Sequence, residues 1–407
     1  MLYFAKMKQR FFLTICLLMC SLGGFAQQKS YDFEFYGWIS PQYFVNSRQC
    51  AGARDGLLCL YPLAPDFTPS GEDLNDSWNH NFSAATTRFG AKIRLDDVLG
   101  AKVVGNIETD FTGQSDANIH LLRLRQANVK MMWEDVFALT AGHGWSVFCV
   151  PEMMPQMQDL NNGTPFHPFA RLNHIRLDYS PCSLISLVGS LGWQRDYATV
   201  GIENKRDYTQ QSRTMIPEFN LQLQFHHNGI LAGFTGEAKV IQPRKEYSEQ
   251  LTSFAANAFF NYKTSKLNFK LQALWGENMN DYCLFGGYYE FDQSLETPDN
   301  PFSYSSSAIS ALWCEVVYNW GRFSPAVFVG YASHENKARN YNKAYGSAMA
   351  LDNIFRIAPR LDYHFTKDFL LSTSVEYTNV KYEDEVCKDR LDNYRLSLTL
   401  LYRFNSK

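Results

Sequence analysis

Charge is scarce in this 407-residue chain: Asp, Glu, Lys and Arg together make up 19% of it, with a formal net charge of −3. Soluble domains usually carry about a quarter of their residues charged, so part of this surface is expected to meet something other than water. Long apolar runs are missing too. Beyond residue 26 no stretch approaches the roughly 18–20 apolar residues that a spanning helix needs, which excludes a helical membrane protein. The lack of a basic excess excludes nucleic acid as a partner. HExxH, GxSxG and glycine-rich phosphate-loop signatures are absent, and with them the common ways of holding a metal, a nucleophile or a phosphate. His226 and His227 are adjacent, so on a strand their side chains leave opposite faces and do not share one metal. No enzyme activity, cofactor or metal is expected.

Cysteine is dispersed. After the leader described next, Cys50, Cys59, Cys149, Cys182, Cys283, Cys314 and Cys387 remain, at spacings unlike those of a zinc site. Cys50 and Cys59 lie close in one polar segment and could pair in an oxidising compartment. The leader itself reads clearly. Lys6, Lys8 and Arg10 precede an apolar stretch over 11–22, and Gly24 and Ala26 are small residues just before Gln27. This is the pattern of a secretory signal over residues 1–26, leaving 27–407 as one domain. Met19 stands where a lipoprotein signal wants a small residue, so lipidation at Cys20 is not expected.

What the chain has in excess is rings: 31 Phe, 23 Tyr and 8 Trp, or 15% aromatic. Rings with a polar tip sit well at lipid–water boundaries. From Tyr31 onward the dominant pattern has period two, the mark of strands with unlike faces. Tyr394, Leu396, Leu398, Leu400, Tyr402 and Phe404 alternate with Arg395, Ser397, Thr399, Leu401 and Arg403. Phe219, Leu221, Leu223 and Phe225 likewise alternate with Asn220, Gln222, Gln224 and His226. Segments of this kind recur along the chain at lengths of about 10–14 residues, suited to tilted strands crossing a bilayer.

Short turns near 96–100, 134–135, 180–183, 227–229, 263–266, 320–323 and 366–368 alternate with eight long polar connections. Fifteen connections imply sixteen strands. The segment 282–291 is strand-like but would make the count odd, so it is assigned to a loop. Rings gather at the short-turn ends, at Trp133, Tyr179, Phe225, Tyr262, Trp320, Tyr363, Phe369, Tyr402 and Phe404. Backbone in lipid has to be satisfied within the protein, so such a sheet closes on itself. The expected fold is therefore all-β: a transmembrane antiparallel β-barrel of about sixteen strands with long extracellular loops and short periplasmic turns. It belongs in the outer membrane of a Gram-negative cell, in contact with the lipid bilayer.

With apolar faces toward lipid, the other face lines the lumen. It carries Arg88, Lys92 and Arg94 on the second strand, Glu108 and Asp110 on the third, and Arg123 and Arg125 on the fourth. His174, Arg176 and Asp178 follow on the sixth, Arg356, Arg360 and His364 on the fourteenth, and Arg395 and Arg403 on the last. Closure gathers these basic groups into a broken arc, with Glu108 and Asp110 paired to the flanking arginines. Glu218, Glu237 and Glu315 stand on the remaining wall. A basic excess in a narrow wet lumen raises the local anion concentration.

Several segments resemble the DcaP-like trimeric porins of Gram-negative outer membranes, especially those of Bacteroidetes type. They are Thr87-Arg88-Phe89-Gly90-Ala91-Lys92, Gly105-Asn106-Ile107-Glu108-Thr109-Asp110-Phe111, Leu122-Arg123-Leu124-Arg125-Gln126-Ala127 and Ala141-Gly142-His143-Gly144-Trp145-Ser146, with loop pieces Tyr61-Pro62-Leu63-Ala64-Pro65-Asp66 and Gly163-Thr164-Pro165-Phe166. The resemblance covers roughly residues 30–200. It implies a sixteen-stranded homotrimer passing small hydrophilic, often anionic, solutes by passive diffusion. His143 departs from it, standing where a smaller or amide residue is expected. The loop over 149–171, with Glu152, Asp159, Asn161 and Asn162 as its constriction residues, is the one expected to fold into the lumen, Glu152 and Asp159 facing the basic arc. The alternative is a receptor barrel whose long loops catch a glycan or partner protein, with Tyr282, Tyr288, Tyr289 and Tyr304 offering stacking surfaces.

Overall fold

The computed structural model describes residues 31–292 and 301–406; the signal segment over 1–26 lies outside the described residues. The chain closes into an antiparallel barrel of sixteen strands, the number the connections predict. The first strand is broken at residues 40–41 into Asp32–Ile39 and Gln42–Asn46, and the second at 84–87 into Asn79–Ser83 and Arg88–Val98. The rest follow as Ala101–Asp110, Arg123–Trp133, Phe137–Trp145, Arg171–Cys182, Ile185–Trp193, Glu218–His227 and Ile230–Ile241. Then come Leu251–Lys263, Leu267–Glu277, Ala308–Tyr318, Phe323–Asn336, Leu351–His364, Phe369–Tyr382 and Leu391–Asn405. Closure pairs the last strand with both halves of the first, Trp38 opposite Arg403 and Val45 opposite Leu396. Pro41 has no N–H to give, yet its carbonyl still accepts from Leu400 N at 3.0 Å, so the break leaves the seam shut.

Alternation decides which face meets lipid. Leu221 and Leu223 are 67% and 50% exposed while Asn220 and Gln222 between them are buried, and the same reversal runs around the barrel. Exposed leucines alternating with buried amides make sense only if the outside is hydrocarbon. Rings band the short-turn end: Phe323 packs on Tyr363, Tyr363 on Phe365, Phe365 on Phe369, and Phe369 on Tyr402, at centroid distances of 5.0 to 6.2 Å. Trp193, Trp275, Tyr331 and Tyr394 stand exposed toward the long-loop end. Among the described residues no helix is long and apolar enough to cross a membrane; this barrel crosses with strands, as the closed outer-membrane type does.

One element differs from the sequence reading. The segment assigned to a loop at 282–291 contains a strand, Gly286–Asp292, which stays out of the barrel. It pairs with Phe302–Ser306 and Lys343–Ser347 in a separate three-stranded sheet built from two long connections. Its rings leave opposite faces and pack on the neighbouring connection, Tyr288 on Tyr345 and Tyr289 on Tyr341.

Candidate functional site

Part of the barrel interior is occupied by the chain itself. The connection over 146–170 turns inward, and Phe148, Met153, Phe166 and Phe169 join a buried cluster with Phe259, Leu274, Trp313 and Phe328 of the wall. Gly330 makes room for it, since a Cβ there would stand 2.6 Å from the Phe166 ring. The inward amides of the wall hold the loop backbone. Gln222 Nε2 donates to Val147 O at 3.1 Å and Asn257 Nδ2 to Phe148 O at 2.9 Å. Asn268 Nδ2 donates to Gln156 Oε1 at 2.9 Å, and Gln156 N donates to Glu315. Asn161 Nδ2 reaches Glu376 at 2.8 Å, across the barrel.

A second loop folds in beside it. Cys50–Ala53 and Leu58–Pro62 form a hairpin whose tip residue Leu57 is fully buried. Arg395 Nη2 donates to Gly56 O at 3.1 Å, and Arg356 Nη2 donates to Cys59 O and Leu60 O. Arg356 also donates to Thr164 O at 2.6 Å, so one guanidinium ties both loops to the fourteenth strand.

Open space remains along the first, second, fourth and last strands. A lower cavity of about 400 Å³ is lined by Trp38, Arg88, Arg125, Trp145, Lys270, Leu401 and Arg403, with residues 154–160 of the inserted loop. An upper cavity of about 410 Å³ is lined by the hairpin and by Arg54, Arg123, Asp196, Tyr197 and Arg206. Leu160 and Phe169 line both.

Cations outnumber anions on these walls: Arg54, Arg123 and Arg206 face Asp196 above, and Arg88, Arg125, Lys270 and Arg403 face Asp159 below. Glu108 and Asp110 are the organising carboxylates. Arg125 Nε is 2.9 Å from Glu108 and its Nη1 2.8 Å from Asp110; Arg123 bonds Asp110 at 2.9 Å, and Arg88 lies 3.6 Å from Glu108. Three guanidiniums therefore share two carboxylates, with Arg88 also lying over Trp38 at 4.1 Å. Arg171 adds a fourth, fully buried among Trp145, Phe169 and Tyr197, with one hydrogen bond to the Tyr197 hydroxyl and no ion pair among the described residues.

The other residues singled out from the sequence lie elsewhere. Arg356, Arg360 and Arg395 point inward as expected but are spent on fixing loops and on Glu376, Glu315 and Asp362, not on lining the two cavities. Arg94 pairs with Asp32 and Glu34, Lys92 sits over Tyr36, and Arg176 pairs with Asp178 on its own strand. Of the loop set, Asp159 and Asn162 line the lower cavity, Asn161 is buried against Cys59 N and Glu376, and Glu152 is exposed. Glu218 and Glu237 do not face open water: the Tyr282 hydroxyl covers both. Sequence reasoning missed Arg54, Arg171 and Lys270. The signal available was the apolar run Leu57-Leu58-Cys59-Leu60 in a polar loop, which marks a segment packed inside something.

No protein-family model and no curated protein matches this chain. Solved structures do match its fold. The outer membrane channel DcaP of Acinetobacter baumannii aligns with a TM-score of 0.72 at 16% identity, over 94% of this chain and 99% of that one. An anion-selective porin from Comamonas acidovorans aligns at 0.58 and 8% identity, over 92% and 100%. The trimer form of OmpT from Vibrio cholerae aligns at 0.53 and 9% identity, over 92% and 100%.

Proposed function

We propose that this chain is a passive diffusion pore, selective for small hydrophilic anions; its sixteen-stranded barrel shares its fold with a solved outer membrane channel. The observation that carries the reading is the pair of cavities that share Leu160 and Phe169 in their lining, taken here as the waist of the path, with guanidiniums on both sides. Solute passes along the arc of the first, second, fourth and last strands, while the inserted loop closes the rest of the lumen. An unbalanced cation near a narrow wet path favours anions, and the low-dielectric walls lengthen its reach. The solved relatives in fold include a porin described as anion-selective, which agrees with the charge seen here.

A homotrimer fits the outer surface. Leu121 and Leu122, on the connection between the third and fourth strands, are 61% and 58% exposed beside Leu124. Apolar side chains on a long-loop connection gain from cover by a neighbouring subunit.

The receptor alternative loses its main support. Tyr282, Tyr288 and Tyr289 are buried and offer no face to a sugar, which leaves only the half-buried Tyr304 of the four. Single-channel recording of the refolded protein in an inert planar bilayer separates the two readings. Openings in three equal steps support a trimeric pore; a silent bilayer containing correctly folded barrel points to the receptor.

A further inference from the structure

The hairpin that walls the upper cavity carries two thiols. Cys50–Ala53 pairs with Leu58–Pro62 in the register Cys50 to Pro62, Ala51 to Tyr61 and Gly52 to Cys59. The register shift between Ala51 and Gly52 skips Leu60, and so draws Cys59 one position toward Cys50. Gly52 permits the close approach, because a Cβ there would meet Leu58 O at 2.4 Å. Cys59, standing opposite Gly52, is thereby the diagonal cross-strand neighbour of Cys50 on the same face of the hairpin. Both are free in this structure; Cys50 is half-buried and Cys59 buried.

Their surroundings are not equivalent. The hydrogen bond from Cys50 lowers the Cys59 thiol below the usual range, and the Arg395 and Arg356 guanidiniums add to the effect against the cost of burial. The same contact raises Cys50. A thiolate beside a thiol, on two strands already held in register, is the arrangement thiol–disulfide exchange needs.

We propose that Cys50 and Cys59 are a redox pair whose disulfide fastens the hairpin wall of the upper cavity. The oxidant is a protein disulfide of an oxidising compartment. Cys50, the more accessible, gives its proton to solvent and attacks one of its sulfurs, and the second sulfur of the oxidant leaves as a thiolate. Cys59, already the thiolate, then attacks Cys50 Sγ. The mixed disulfide breaks, the oxidant is released as a dithiol, and two electrons have passed to it. Fastening matters here because Cys59 joins three bodies: its N–H donates to Asn161 Oδ1 of the inserted loop at 3.0 Å, its carbonyl accepts from Arg356 of the wall, and the hairpin lines the cavity. The channel consequence rests on the pore reading, whereas the pairing itself does not.

The folded barrel in detergent is treated with oxidised glutathione, alkylated, and mapped by peptide mass. The expected product is a peptide pair joined through Cys50 and Cys59, lighter by two hydrogens, with Cys149, Cys182, Cys283, Cys314 and Cys387 still alkylated or shielded. Separate alkylation of Cys50 and Cys59 after oxidation, or glutathione left on Cys50, overturns the pairing. In bilayers the oxidised channel is expected to hold a steady level, and dithiothreitol to raise the frequency of brief closures at least about twofold. Paired cysteines with identical traces before and after reduction overturn the fastening role and leave the pore reading untouched. The wild-type sequence suffices, so no variant has to fold.

Discussion

Arg54→Gln is the cleanest probe of the charged path. Arg54 lines the upper cavity, one guanidinium nitrogen has no hydrogen-bond partner, and it takes part in no ion pair among the described residues. Its φ of 62° lies in the left-handed region, where glutamine is strained no more than arginine, so the hairpin keeps its shape. No buried carboxylate is orphaned. Removing one positive charge about 5 Å from the solute raises the energy of a passing monovalent anion by roughly 0.8 kcal/mol in bulk-water dielectric, which is about a fourfold fall in local concentration. Low-dielectric walls make that figure a floor. The assay is the zero-current potential under a potassium chloride gradient at low ionic strength, where the Debye length, ~10 Å at 0.1 M, exceeds that separation. The anion-to-cation permeability ratio should fall about fourfold, with unfolding temperature unchanged. An unchanged potential in a properly folded variant would refute the assignment of the path to this wall.

Arg125→Gln should behave differently, because it leaves Glu108 and Asp110 short of a buried partner. A loss of about 3–5 kcal/mol is expected for a broken buried pair, read as a lower denaturant midpoint along with weaker anion preference; wild-type stability would contradict the pairing. Deleting residues 154–163 removes the loop segment that lines the lower cavity, so conductance should rise, and an unchanged level would mean that solute does not pass beside it. Burial raises the Asp159 carboxyl above its ordinary value of 3.8. It is therefore charged above that raised pKa and neutral below it. Anion preference should increase as pH falls toward the raised pKa, and Asp159→Asn should abolish that step; an identical pH profile in the variant would refute it.

The barrel was legible because two-faced strands repeat. Period-two segments such as Phe219, Leu221, Leu223 and Phe225 carry the lipid face by themselves, and the count of connections gave the strand number. The inside was less legible, for a physical reason. Inward Gln222 and Asn257 are polar because they bind a loop backbone, and Asn268 because it binds a loop side chain; alternation alone does not separate an amide that meets a loop from one that meets water. Arg356 and Arg395 show the same ambiguity: a lumen-facing guanidinium is equally suited to an ion path and to a bundle of loop carbonyls. The clustering of Arg88, Arg123 and Arg125 around Glu108 and Asp110 was readable, since neighbouring strands with opposite charges pair across the sheet. Arg171 was not: Trp145 stands opposite it on the neighbouring strand, but Phe169 and Tyr197 come from a loop end and a separate connection.

The central claim is that solute crosses at the waist formed by Leu160 and Phe169. Leu160→Trp tests it most directly, by filling that gap with a larger ring while every arginine stays in place. Single-channel conductance of the folded variant should collapse to a small fraction of the wild-type level. Wild-type conductance with tryptophan at position 160 would show that the path lies elsewhere in the barrel.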